Sequence, residues 1–172
     1  MPRPTTRRVA AIAVLLGLAM LSAAVAPPAV ARAPGNDKFG DALKIGSLPF
    51  HTSENTRQAK SQDSDPVPSC QGAGRTVWFK LKRGSDTTVT ADTLGSNKNG
   101  DTYDTVLAAY EQTGFGAGGL VEVACSDDAL PNSLSEIKFT ANAGTTYYLM
   151  VGTCCGATNV PGGDLKLNVQ QE

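Results

Sequence analysis

Apolar and polar positions alternate through most of the chain beyond Arg75. Val77, Phe79 and Leu81 alternate with Trp78, Lys80 and Lys82, the period of a strand with one face in a core. The same period returns at residues 87–93 through Val89 and Ala91, and at 134–140 through Ile137 and Phe139. It returns again at 145–152 through Tyr147, Leu149 and Val151, and at 164–170 through Leu165, Leu167 and Val169. Two further runs, 105–111 and 120–125, are rich in Val, Leu, Ala and Tyr and too short for an average helix. They read as buried strands of a hairpin, joined by a Gly-rich connector. Clusters of Gly, Asn, Ser and Pro between the runs supply turns. Upstream, Phe39, Ala42 and Ile45 recur at a spacing that permits a short helical turn, and Leu48 and Phe50 anchor a first strand. Residues 52–69 are polar, with Pro66 and Pro68, and read as a long surface excursion.

Seven to nine short, mostly antiparallel strands without a long amphipathic helix predict an all-β domain, a sandwich or a barrel. The one-sided alternation favours a β-sandwich, which buries one face of each sheet.

The first 31 residues read differently. Arg3, Arg7 and Arg8 precede an uncharged apolar run at 9–21, and Ala29-Val30-Ala31 offers a small-x-small cleavage site. That is the pattern of a secretory signal peptide, and the apolar run is short for a membrane span. Ala24-Val25-Ala26 also fits the cleavage pattern, but places Pro27 first in the mature chain. Cleavage after Ala31 leaves 141 of the 172 residues, a single domain over 32–172 without a transmembrane segment, secreted to the extracellular space. Removing the three leader arginines from 15 basic residues leaves 12 against 16 acidic ones, a net charge of −4. No Lys/Arg stripe is evident along the sequence, which disfavours nucleic acid as a partner.

Export changes the meaning of the cysteines. Cys70, Cys125, Cys154 and Cys155 are all in the mature part, and an even count in an oxidising compartment predicts two disulfides. A bond between neighbours Cys154 and Cys155 needs a strained ring, since adjacent side chains normally diverge. The expected pairing therefore ties Cys70 and Cys125 separately to the 154–155 segment.

Candidate chemistry is sparse. The mature chain has one histidine, His51, with no nucleophile elbow around it and no H-E-x-x-H. No catalytic residue is assigned. The acids are the more informative group. Asp101 and Asp104 lead into the first hairpin strand, and Asp127 and Asp128 lead out of the second. In an antiparallel hairpin those ends lie side by side. Gathered carboxylates repel unless a cation or hydrogen bonds offset the charge. Ca²⁺ suits an exported site of irregular oxygen ligands, with the 97–100 loop as a further source of oxygens. The competing expectation is local: Asp before Thr or Asp is a turn former that caps its own backbone. Two-carboxylate hydrolysis is the third option.

Five stretches, in this order, resemble the bacterial pre-peptidase C-terminal domain family, especially the versions exported by actinobacteria. They are Asn36-Asp37-Lys38-Phe39 with Ala42 and Ile45; Gly74-Arg75-Thr76-Val77-Trp78-Phe79; Asp92-Thr93-Leu94-Gly95-Ser96 with Tyr103-Asp104-Thr105-Val106-Leu107-Ala108-Ala109-Tyr110; Val123-Ala124-Cys125-Ser126-Asp127-Asp128; and Ala143-Gly144-Thr145-Thr146-Tyr147-Tyr148-Leu149-Met150-Val151-Gly152. The resemblance spans residues 36–170. It implies a jelly-roll-like β-sandwich without catalytic function. It also implies an accessory role in secretion, stability or attachment, with a secreted peptidase, an extracellular polymer or the cell wall as partner. Some modules of similar fold hold calcium. This chain departs from the family's usual setting, since no peptidase domain precedes the resemblance. A small disulfide-braced protease inhibitor or structural protein is the alternative, with the 66–68 or 154–155 loop entering an enzyme cleft.

Overall fold

The computed structural model describes Met1 and residues 32–156 and 160–172. The leader expected over residues 1–31 lies outside the described residues, Met1 apart. Nine strands form two sheets: β1 (Leu43–Ile45), β2 (Phe50–Asn55), β3 (Ala73–Lys82), β4 (Thr87–Asp92), β5 (Thr105–Gln112), β6 (Leu120–Ser126), β7 (Glu136–Ala141), β8 (Thr146–Cys154) and β9 (Asp164–Gln171). One sheet has the order β1-β3-β8-β5-β6, the other β2-β9-β4-β7. All neighbours pair antiparallel except β1 and β3, which are parallel. This is the all-β sandwich that the alternating pattern predicts. No helix among the described residues is long and apolar enough to cross a membrane.

The main core lies between the sheets. Val77, Phe79 and Leu81 of β3 meet Val89 and Ala91 of β4, Leu107 and Ala109 of β5, Leu149 and Val151 of β8, and Leu165, Leu167 and Val169 of β9. A second, smaller core occupies the outer face of the five-stranded sheet. It contains Trp78, Ala108, Tyr110, Tyr148 and Met150, with Phe39, Ala42 and Leu120 packed against it. Two covered faces explain why β5 is buried from Thr105 to Tyr110 and reads as a continuous apolar run. The helical turn expected near Phe39 is a single 3-10 turn, Phe39–Asp41. It sets the Phe39 ring edge-on to Trp78, centroids 5.3 Å apart.

The polar excursion expected over residues 52–69 is shorter than the sequence suggests, because β2 runs to Asn55 and pairs with β9 along its full length. Only alternate β2 residues are half-buried, and the others face solvent. A polar edge strand of this kind carries little hydrophobic signal. The chain then turns at Thr56, whose hydroxyl lies 2.7 Å from the Tyr103 hydroxyl and accepts the Gly163 N–H at 3.0 Å. Glycine is required there: a Cβ on residue 163 would lie 2.6 Å from both the Asn97 carbonyl oxygen and the Tyr103 ring. Gly163→Ala is expected to lower the unfolding free energy by about 1–3 kcal/mol through overpacking. A denaturant titration checks this, and wild-type stability would contradict the packing described.

Candidate cation site at the start of β5

The hairpin geometry makes the site. Leu107 of β5 pairs with Ser126 of β6, so the residues before β5 and after β6 share one end of the sheet. One carboxylate oxygen from each of Asp104, Asp127 and Asp128 converges there, all within 4.8 Å of one another.

A buried ladder of hydroxyls holds this end in place. Thr93, Thr105 and Ser135 are fully buried. Thr93 Oγ1 lies 2.8 Å from Thr105 Oγ1, which lies 3.1 Å from Ser135 Oγ. The Ser135 hydroxyl reaches the Thr105 carbonyl at 2.6 Å and the Asp127 carbonyl at 2.8 Å. Asp104 is fixed from the other side, its carbonyl accepting the Cys154 N–H at 3.0 Å. The ladder joins chain segments up to 42 residues apart, and single Thr and Ser positions carry no pattern from which it could have been read.

The side chains are less well satisfied than the backbone. Asp104 Oδ1 and Asp127 Oδ1 are buried and have no hydrogen-bond partner among the described residues. Burial raises the pKa of Asp104, and the charges of Asp127 and Asp128 raise it further. Burial and then Asp128 raise that of Asp127. Each effect disfavours the bare carboxylate and is reversed by a bound cation.

The fourth predicted acid, Asp101, is not brought into this group. It is exposed, its Oδ1 accepts its neighbour Thr102 N–H at 2.9 Å, and its backbone bridges to Lys98. Asp92 likewise caps Leu94 N–H at 2.9 Å and accepts from Asn168 Nδ2 at 2.7 Å. Within the 97–100 loop, Asn97 Oδ1 accepts the Gly100 N–H. Local capping therefore accounts for Asp92 and Asp101. It does not account for the orphaned oxygens of Asp104 and Asp127. His51 stands on β2, its Nδ1 2.9 Å from Asn168 Oδ1.

The disulfides differ from the expected pairing. Cys70 bonds Cys125, and Cys154 bonds its neighbour Cys155. The segment before β3 crosses the edge strand β6, where the Ser69 N–H and hydroxyl both bond the Glu122 carboxylate. That places Cys70 over Cys125, with Cα atoms 5.7 Å apart. Cys155 takes a left-handed backbone, φ 71°, at the end of β8. The chain direction changes there, and the two adjacent side chains no longer diverge. Both sulfurs lie within 4.8 Å of a carboxylate oxygen of Asp104. Bonded to each other, they are not thiolates and leave the carboxylates as the ionic ligands of this end.

No family model and no curated protein matches the sequence. Among the solved structures similar to this chain are the following two. One is the pre-peptidase C-terminal domain of a collagenase from Bacillus anthracis, at 14% identity and TM-score 0.44, covering 76% of this chain and 94% of that one. The other is PliG of Aeromonas hydrophila, a periplasmic inhibitor of g-type lysozyme, at 10% identity and TM-score 0.46, covering 76% of this chain and 96% of that one.

Proposed function

We propose that this chain is an exported, noncatalytic binding or accessory module that attaches to a secreted peptidase, a matrix polymer or the cell envelope. In this reading a Ca²⁺ ion at Asp104, Asp127 and Asp128 stiffens one end of its sandwich. The observation that carries the reading is the convergence of three carboxylate oxygens within 4.8 Å. Calcium–oxygen distances of about 2.3–2.6 Å put ligands on opposite sides of an ion no more than about 5 Å apart. Backbone carbonyls and water complete a calcium shell of this kind. The leader pattern of residues 1–31 and the five resembling stretches support export and an accessory role.

The test uses a crossover. Because the folded-state pKa of Asp104 is raised, its contribution to stability is fully present below the unfolded value near 3.8. It is lost as pH rises through the folded value. In chelator at neutral pH, Asp104→Asn is therefore expected to melt above wild type. In Ca²⁺ at a hundred times its Kd, wild type gains about 2.7 kcal/mol by linkage and the order reverses. Identical melts of wild type in calcium and chelator, with no calorimetric binding at millimolar metal, would remove the ion from the proposal. Turnover on peptide or glycan panels that disappears in Asp104→Ala would remove the noncatalytic reading.

Inhibition of an enzyme is the second reading, favoured by two exposed apolar tips. Val67, between Pro66 and Pro68, is 81% exposed, and Phe115 in the β5–β6 turn is fully exposed. A stoichiometric complex with one protease in culture supernatant distinguishes it from retention on polymer or cell wall.

A further inference from the structure

Three lysines meet on the outer face of the five-stranded sheet, where sequence spacing shows no basic patch. The parallel register of β1 and β3 sets Lys44 opposite Lys80, and strand alternation puts Lys82 on the same face. Neighbouring strands lie about 4.8 Å apart and residues two along a strand about 6.6 Å apart, so the three lysine side chains leave the sheet from a small area. With Ile45 and Gly46 they line a hollow of about 480 Å³. The ion pairs among the described residues are Arg57–Asp164 and Lys138–Glu172, and none of the three lysines takes part. Lys80 Nζ lies 5.4 Å from the centroid of the buried Tyr148 ring, whose face attracts the cation. Like charges directly opposite on adjacent strands are destabilising, and an anion in the hollow relieves that repulsion.

We infer that this hollow binds an acidic glycan, a polysaccharide carrying a carboxylate on its repeating unit; the inference rests on the reading of the chain as an exported binding module. Lysine ammonium groups are point charges on flexible stems, without the planar fork that arginine offers to one phosphate or carboxylate. They suit single charges spread along a chain. The aliphatic stems of the lysines give the walls an apolar character suited to the C–H face of a sugar ring. A dense polyelectrolyte fits less well. Duplex DNA carries a charge per about 1.7 Å of axis, and the rest of the mature chain repels it: the whole carries 12 basic against 16 acidic residues.

The experiment titrates the purified full chain with polygalacturonate, neutral dextran, duplex DNA and anionic phospholipid vesicles, at several salt concentrations. The variants are Lys82→Gln, the triple Lys44→Gln/Lys80→Gln/Lys82→Gln, and Lys138→Gln on the other sheet. Wild type is expected to prefer polygalacturonate. The triple variant should bind at least tenfold more weakly, with a log–log salt slope shallower by about two. Lys82 is exposed, so Lys82→Gln should keep the wild-type melt and show part of the loss. Equal binding to dextran, tighter binding to DNA or vesicles, or an equal loss in Lys138→Gln would overturn the inference. Retention on a neutral insoluble polymer that persists in the triple variant, with no polygalacturonate binding, would sink the acidic glycan and leave the binding-module reading standing.

Discussion

Removing Cys70 and Cys125 together, as alanines, is expected to lower the unfolding free energy by about 4 kcal/mol, while removing Cys154 and Cys155 costs about 1 kcal/mol or less. The difference comes from the unfolded chain. The first bond spans 55 residues and the second spans one. Loop-closure entropy grows with the logarithm of the span, so a bond between neighbours restricts almost nothing. The first bond also pins the segment before β3 to an edge strand. That segment is otherwise held by the Lys60 N–H on Asp37 Oδ1 at 2.6 Å, by Thr76 Oγ1 on Asp65 Oδ2 at 2.5 Å, and by Ser69 on Glu122. A loss of about 4 kcal/mol is a large part of ordinary domain stability. For a domain of this size it should move the melting temperature by roughly 10–16 °C. Denaturant titrations of the two double variants make the comparison, and non-reducing peptide mapping checks the pairs. Equal losses, or peptides joining Cys70 to the 154–155 segment, would contradict the structure.

The strands were legible wherever burial is one-sided. Ile137 and Phe139 of β7, and Leu165, Leu167 and Val169 of β9, alternate as expected and face the main core. Burial on both faces, as in β5, removes the alternation but leaves a continuous apolar run. Polar edge strands are the blind spot: Thr52, Ser53, Glu54 and Asn55 belong to β2 because β9 offers them backbone partners. The acidic end was legible because hairpin geometry follows from chain order, whereas the exclusion of Asp101 depends on a local turn closing on Lys98. Properties that join distant segments were not legible. The hydroxyl ladder, the crossing of Cys70 over Cys125 and the meeting of Lys44 with Lys80 all depend on strand order. The cysteine pairing shows the reason most clearly. Reasoning on neighbouring side chains assumes ordinary backbone, and the left-handed φ of Cys155 breaks that assumption.

Trp78→Ala is expected to cost about 3–5 kcal/mol, the usual penalty for truncating a buried aromatic. Trp78 is fully buried although it stands on the outer face of its sheet. Phe39 meets it edge-on, the Tyr110 ring lies 6.2 Å away, and Met150 pairs with it from β8. Its backbone is tied as closely, since Trp78 N–H donates to the Asn36 carbonyl at 2.9 Å and Asn36 Nδ2 returns a bond to the Trp78 carbonyl at 3.1 Å. The indole thus supports the leading segment that covers the second core. Its own Nε1 is buried without a hydrogen-bond partner among the described residues, a desolvation cost that phenylalanine does not carry. Trp78→Phe should therefore lose less than half of what Trp78→Ala loses, since its smaller cavity is partly offset by removing that orphaned donor. Denaturant titration followed by circular dichroism gives the order, because Trp78 is the chain's single tryptophan and its replacement removes the fluorescence signal. A stability of Trp78→Ala within 1 kcal/mol of wild type, or equal losses in the two variants, would contradict the packing. The same loss should loosen the segment around Asn36 and Phe39. Under native conditions a protease that cleaves after lysine is expected to cut at the exposed Lys38 faster in Trp78→Ala than in wild type, while Trp78→Phe, which keeps an aromatic edge for Phe39, stays close to the wild-type rate.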